Sequence, residues 1–105
     1  MPLSPLEAIN RINEKVTVEM FVTAAKNCQR CSLMFLDSEE DHHDPKNFAV
    51  AVTETGKVKF KEAKIDDPAG HLKGKSIRVT GVVTVKDKQP QIEVDDTGQI
   101  EVVAQ

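Results

Sequence analysis

Hydrophobic and polar positions alternate most regularly in the last third of the chain. From Lys75 onward, Ile77, Val79, Val83 and Val85 fall on one face of an extended segment and Ser76, Arg78, Thr80, Thr84 and Lys86 on the other. That period predicts a long strand with one wet face. Gly81 sits on the apolar side of the run, where a missing side chain permits a sharp bend or the close approach of another backbone, as at the corner of a barrel. Asp87, Lys88 and Gln89 supply a polar reversal. Pro90 then opens a return strand where no amide donor is needed, Ile92 and Val94 resume the inward set, and a tail runs on to a final edge.

The upstream part reads in the same way. Ser4-Pro5-Leu6-Glu7 has the form of a capping box and predicts a leading helix over residues 5–13, docked by Leu6, Ile9 and Ile12. Lys15 to Ala25 alternates as one long first strand, with Val16, Val18, Met20, Val22 and Ala24 on one face. Phe21 breaks the polar face, so either the strand bends and changes partners there or the ring is exposed for binding. Leu33 to Leu36 is nearly continuous in apolar residues and predicts a strand covered on both faces. Asn47 to Thr53 predicts a third strand, with Phe48, Val50 and Val52 inward and Ala49 and Ala51 outward.

After a turn at Glu54 to Lys57, Val58 and Phe60 alternate with Lys57, Lys59 and Lys61, which predicts a short strand-like piece with one cationic face. Asp67-Pro68 reads as a helix start and Gly74 as a stop, giving a short helix over Pro68 to Lys73. The order is thus a leading helix, three strands, a short helix and two strands with a tail. It predicts an all-β domain, a five-stranded Greek-key OB-fold, with its barrel over residues 15–103 and a short helix between strands three and four.

A chain of 105 residues makes one small core, so residues 1–105 are read as a single domain. No apolar run approaches a membrane span and no signal-peptide plan opens the chain, which predicts a soluble protein, cytoplasmic by default, with no membrane partner. Four Phe with neither Trp nor Tyr leave few stacking surfaces, and a net charge of −3 argues against a wholly basic nucleic-acid binder. The charge is uneven, however: residues 55–90 carry +5, between segments 36–54 at −5 and 91–105 at −4.

Three stretches bear a resemblance to a known group. Leu72-Lys73-Gly74-Lys75-Ser76-Ile77-Arg78-Val79-Thr80-Gly81-Val82-Val83, then Gln89-Pro90-Gln91-Ile92-Glu93-Val94-Asp95-Asp96, then Gln99-Ile100-Glu101-Val102, resemble the C-terminal half of bacterial OB-fold domains of the tRNA-anticodon-like, nucleic-acid-binding type. Some of those domains accompany nuclease domains. Phe35-Leu36-Asp37, with Asn47-Phe48 after a polar loop, is similar to the same group. The resemblance implies a fold and oligonucleotide binding on the second and third strands and on the first and fourth connecting loops. The outward Ala49 and Ala51 depart from the aromatic or basic residues expected there.

Candidate chemistry is sparse. Cys28-Gln29-Arg30-Cys31 is a lone C-x-x-C, read as two ordinary loop thiols ahead of a local disulfide or redox pair. As half of a zinc site it would need His42 and His43, yet Cys31 precedes the second strand and His42 follows it, which predicts that they lie at opposite ends. The acidic, histidine-bearing stretch from Asp37 to Pro45 reads as a solvated loop, ahead of a divalent-ion site at His42-His43-Asp44. No cofactor or metal site is predicted, nor a nucleophile with a base, so the chain is not read as an enzyme. The candidate nucleic-acid contacts are Lys57, Lys59, Lys61, Lys75, Arg78 and Phe21, for a single strand of DNA or RNA held weakly. Against this stands a protein-interaction or self-associating barrel, in which alternate lysines merely protect a sheet edge.

Overall fold

The computed structural model describes residues 2–28, 30, 32–41, 43–86 and 88–103. The chain runs through α1 (Pro5–Ala8), β1 (Lys15–Phe21), β2 (Ala24–Cys28), β3 (Leu33–Asp37), β4 (Ala49–Val52), α2 (Glu54–Glu62), α3 (Pro68–Leu72), β5 (Ser76–Lys86), β6 (Gln89–Val94), a 3-10 turn (Thr97–Gln99) and β7 (Ile100–Val102). The hydrogen-bonded order is β1-β5-β6-β4-β3-β2, with β7 added to β5. Among these strands, β4 and β6 pair in parallel and the others antiparallel, and Leu3 makes an isolated parallel bridge to Val18. The first and last members of that path are consecutive in the chain, separated by Val22 and Thr23 alone. The ladder therefore curls until its ends meet at one bent stretch of backbone, although β1 and β2 do not bond to each other.

The predicted first strand, Lys15 to Ala25, is thus two strands. At its bend the backbone changes partners: Val22 N–H donates to the Lys75 carbonyl at 2.9 Å, and Thr23 N–H to the Asp37 carbonyl at 3.0 Å. Phe21 is the last residue before the change, and its ring also stands half exposed. Gly81 marks the matching corner on the long strand. β5 follows β1 over Ser76 to Val82 and β6 over Val83 to Lys86. The reversal into β6 is described only in part: Lys88 has a φ of 66°, and Asp87 lies outside the described residues.

The inward side chains Val18, Met20, Met34, Leu36, Phe48, Val50, Val52, Ile77, Val79, Val83, Ile92 and Val94 are buried as their alternation implies. Each contributes on the order of 1.5–3 kcal/mol of apolar transfer against an exposed position. Ala8, Phe60, Ala69 and Leu72, from the three helices, join the same cluster. α3 starts and stops as predicted, with Asp67 Oδ1 accepting from Gly70 N–H at 3.2 Å and Gly74 at a φ of 81°. Among the described residues no helix is long and apolar enough to cross a membrane.

Three further expectations are corrected and one is refined. The leading helix spans one turn rather than residues 5–13. Asn13 takes a φ of 69° and donates its N–H to Val83, so the chain enters β1 before a second turn forms. Leu6 is consequently 57% exposed, and Ala8 is the fully buried residue. The strand-like piece with a lysine face is the helix α2. Thr53 caps it by accepting from Gly56 N–H at 3.2 Å, and Gly56 and Phe60, four residues apart, are its buried side. Ala49 and Ala51 keep the outward face, apart from the Val50 and Val52 cluster, yet both are buried, because the central strand β4 lies between the longer side chains of β3 and β6. Finally, Val85 lies beyond the buried stretch of β5 and is about half exposed.

Candidate functional site

In β3 the apolar run resolves into two faces. Met34 and Leu36 enter the core, while Leu33, Phe35 and Asp37 lie on the other side. The ladder sets Lys26 across from Phe35 and Cys28 across from Leu33. It also sets Asp37 opposite Ala49, and Ala49 opposite Gln91. These residues line a cleft of about 510 Å³, completed by Lys86 and Gln89 from the β5–β6 hairpin and by His43 from the β3–β4 loop. A volume of that size falls in the range of ligand sites. Alanine at position 49 sinks the floor. The feature that departs from the aromatic or basic pattern therefore helps to make the depression. Phe35, which is not fully buried, is the aromatic ring in it.

The two cationic lining residues come from distant strands. Lys26 is on β2 and Lys86 on β5, four positions apart in the ladder, or about 19 Å measured along the sheet. At the floor Asp37 is only 2% exposed, and its carboxylate accepts a hydrogen bond from Asn47 Nδ2 at 3.1 Å. The acidic stretch is therefore a solvated loop only beyond Asp37.

The candidate contacts taken from sequence lie elsewhere. Lys57, Lys59 and Lys61 belong to α2, where a 3.6-residue period sets Lys57 and Lys61 on one side and turns Lys59 away toward Glu62, at 4.0 Å. The start of α2 is anchored where β4 and β6 end, with Thr53 N–H donating to the Val94 carbonyl at 2.9 Å. The cleft uses the opposite ends of those two strands, at Ala49 and Gln91. Phe21, Lys75 and Arg78 share one end of the β1–β5 ladder, Phe21 facing Ser76. Arg78 Nε donates to Glu19 Oε1 at 2.8 Å. That hydrogen bond, with the Glu19 charge and to a lesser extent that of Glu101, raises the guanidinium pKa. Arg78 also borders a second, shallower depression of about 460 Å³ with Thr17, Thr80, Gln99 and Glu101.

The six candidates thus fall into two groups, and neither is in the cleft. Lys26, Phe35, Lys86, Gln89 and Gln91 went unmarked as contacts. The available signal was the alternation in Leu33 to Asp37, which ends on a charge and so betrays a face that is not core.

Cys28 closes β2 and is not a free thiol, which corrects the reading of an ordinary loop thiol at that position. The rest of the motif's reading falls on Cys31, and the zinc reading also on His42, both outside the described residues. Among the described residues no group of three or more His, Cys, Asp or Glu is placed to hold a metal. Cys28, paired with the first residue of β3, and His43, after its last, both border the cleft.

The strand order, with its parallel β4–β6 pair, its bent first strand and its helices after the third predicted strand, defines an OB-fold-like small β-barrel. No protein-family model and no curated protein sequence matches the chain. Solved structures do match its fold. Asparaginyl-tRNA synthetase from Pyrococcus horikoshii superposes with a TM-score of 0.63 at 18% identity, over 97% of this chain and 23% of that one. Aspartyl-tRNA synthetase from Entamoeba histolytica gives 0.65 at 15% identity, over 99% of this chain and 21% of that one. The chain spans less than a quarter of the length of either enzyme, and at such identities the likeness is one of fold.

Proposed function

We propose that the chain is a non-catalytic binding module that holds a single strand of DNA or RNA in the cleft over β2, β3 and β4. The observation that carries this reading is the pair Lys26 and Lys86, on two sides of a depression floored by Ala49 and containing the Phe35 ring. Cations at a spacing of several strands meet a backbone of phosphates, and a ring between them offers a base a stacking surface. The likeness to segments of two tRNA synthetases supports nucleic acid as the ligand class, as does the resemblance to tRNA-anticodon-like domains. Two lysines beside a buried carboxylate neutralise few phosphates, so the affinity belongs in the range of non-specific contacts, ~10⁻⁴ to 10⁻⁶ M.

The test is a titration of a labelled single-stranded oligonucleotide at low and at physiological salt. Binding should fall steeply with salt and be lost in the double variant Lys26→Glu, Lys86→Glu. The triple variant Lys57→Glu, Lys59→Glu, Lys61→Glu should bind within a few-fold of wild type. Loss of binding in the α2 variant alone would move the interface to that helix. A protein partner or self-association is the second reading. It is favoured by β7, which among the described residues pairs only with β5 and presents a 45% exposed Val102. No oligonucleotide binding at low salt, together with concentration-dependent sedimentation, would select it.

A further inference from the structure

The loop between β3 and β4 is tied down at its base. Thr23 Oγ1 donates to the Ser38 carbonyl at 2.9 Å, and Ser38 Oγ accepts from Phe48 N–H at 2.9 Å. The Asn47 side chain joins the two ends, donating to Asp37 at 3.1 Å and accepting from Glu39 N–H at 3.0 Å. Farther out, Asp41 Oδ1 accepts from His43 N–H at 2.9 Å and lies 3.4 Å from the imidazole Nδ1. Asp44 Oδ1 accepts from Lys46 N–H at 2.9 Å. A loop bonded in this way is a built wall, and it brings His43 to the border of the cleft.

We propose that His43 is a titrating contact of this cleft, whose imidazolium form binds strand phosphate, so that affinity for single-stranded nucleic acid rises as the pH falls. The inference rests on the proposed function. Histidine is the side chain whose charge ordinarily changes between about pH 5 and 8. The charged groups around it are Lys26 on β2, Asp37 on β3, Lys86 on β5 and Asp41 on its own loop, while β6 presents the uncharged Gln89 and Gln91. With a neutral imidazole these four groups sum to zero, and the imidazolium makes the sum one positive charge. Because counterion release scales with the cations that reach phosphate, one added cation is a large fraction of so small a site.

The experiment measures the affinity of a single-stranded oligonucleotide of about 12 nucleotides, labelled with a pH-insensitive dye, at about pH 5.5 and about pH 8 and constant low ionic strength. Wild type should bind about 5-fold more tightly at the lower pH, the size of one exposed ion pair. His43→Gln should bring the ratio of the two affinities close to one. His71→Gln, on α3 and outside the cleft, should keep the wild-type ratio. Binding that is lost in Lys26→Glu, Lys86→Glu yet shows no gain at low pH in wild type would overturn this inference and leave the cleft standing. A gain that persists in His43→Gln would overturn it equally. Absence of binding at both pH values would overturn the cleft reading as well.

Discussion

A Cβ on Gly81 would stand 2.6 Å from Cγ2 of Ile92, closer than side chains pack. The opposite side is closed as well. Gln99 Nε2, 3.4 Å from the same point, is held by its bonds to the Thr80 and Glu93 carbonyls at 3.0 and 3.1 Å. Gly81→Val should therefore destabilise the domain by ~1 to 3 kcal/mol or more through overpacking, and Gly81→Ala by less. Ile92→Leu removes Cγ2 at nearly constant volume, so Gly81→Ala with Ile92→Leu should recover part of the loss. Denaturant midpoints of the two singles and the double would show the coupling. An unchanged midpoint for Gly81→Val would remove the corner.

Gly56 poses a contest between helix propensity and packing. In an open helix, alanine would be better than glycine by about 0.8–1 kcal/mol. Here a Cβ would strike the Val94 carbonyl oxygen, a backbone atom, and approach Val52 Cγ1 to 2.9 Å. Backbone cannot step aside as a side-chain tip can, so Gly56→Ala should destabilise by ~1 to 3 kcal/mol despite its better propensity. A thermal midpoint at or above wild type would mean that α2 sits farther from β6 than this.

Asn47→Ala removes a donor from the buried Asp37 carboxylate and the clasp on the loop at once. An expected cost of ~1 to 3 kcal/mol follows from leaving a buried acceptor short of a partner. Amide exchange over residues 38–46 should quicken in the same variant. Wild-type exchange rates there would show that the clasp does not hold the loop.

Phe35 and Phe21 separate two faces of the barrel. Phe35→Ala should weaken oligonucleotide binding by about 1 kcal/mol or more, the scale of one base stacked on a ring, whereas Phe21→Ala should change it little. The reverse order would transfer binding to the Phe21, Lys75 and Arg78 end of the β1–β5 ladder.

The capping box makes α1 sensitive to acid. The Ser4 N–H, and then the Ser4 hydroxyl, hold the Glu7 carboxyl below its usual pKa, with Arg11 adding a smaller effect in the same direction. A depressed pKa means that this stabilisation is complete above the unfolded value near 4.5 and disappears as the pH falls through the lower, folded value. Glu7→Gln keeps the geometry of the box without a titrating group. Its midpoint should fall less than that of wild type below pH 4.5, and parallel curves would sink the argument.

Strands, caps and corners were legible because each is a local pattern: the alternation of β5, Ser4-Pro5-Leu6-Glu7, Asp67-Pro68 before Gly74, and Gly81 in an apolar run. The bend after Phe21 was legible as one of two alternatives: the strand does change partners there, and the ring is half exposed as well. The segment Glu54 to Glu62 was not. A short alternation of valine, phenylalanine and lysine satisfies a period of two, while Gly56 and Phe60 satisfy a helical spacing equally well. Only the Thr53 cap and the room beside Val94 decide between them. The cleft was invisible for a related reason. Lys26, Phe35, Ala49, Lys86 and His43 are scattered over sixty-one positions from the first to the last, and each alone reads as an ordinary strand or loop residue. Alternation assigns a residue to a face, but strand order and register decide which residues share that face. Those follow from long-range pairing, which no local window of sequence contains.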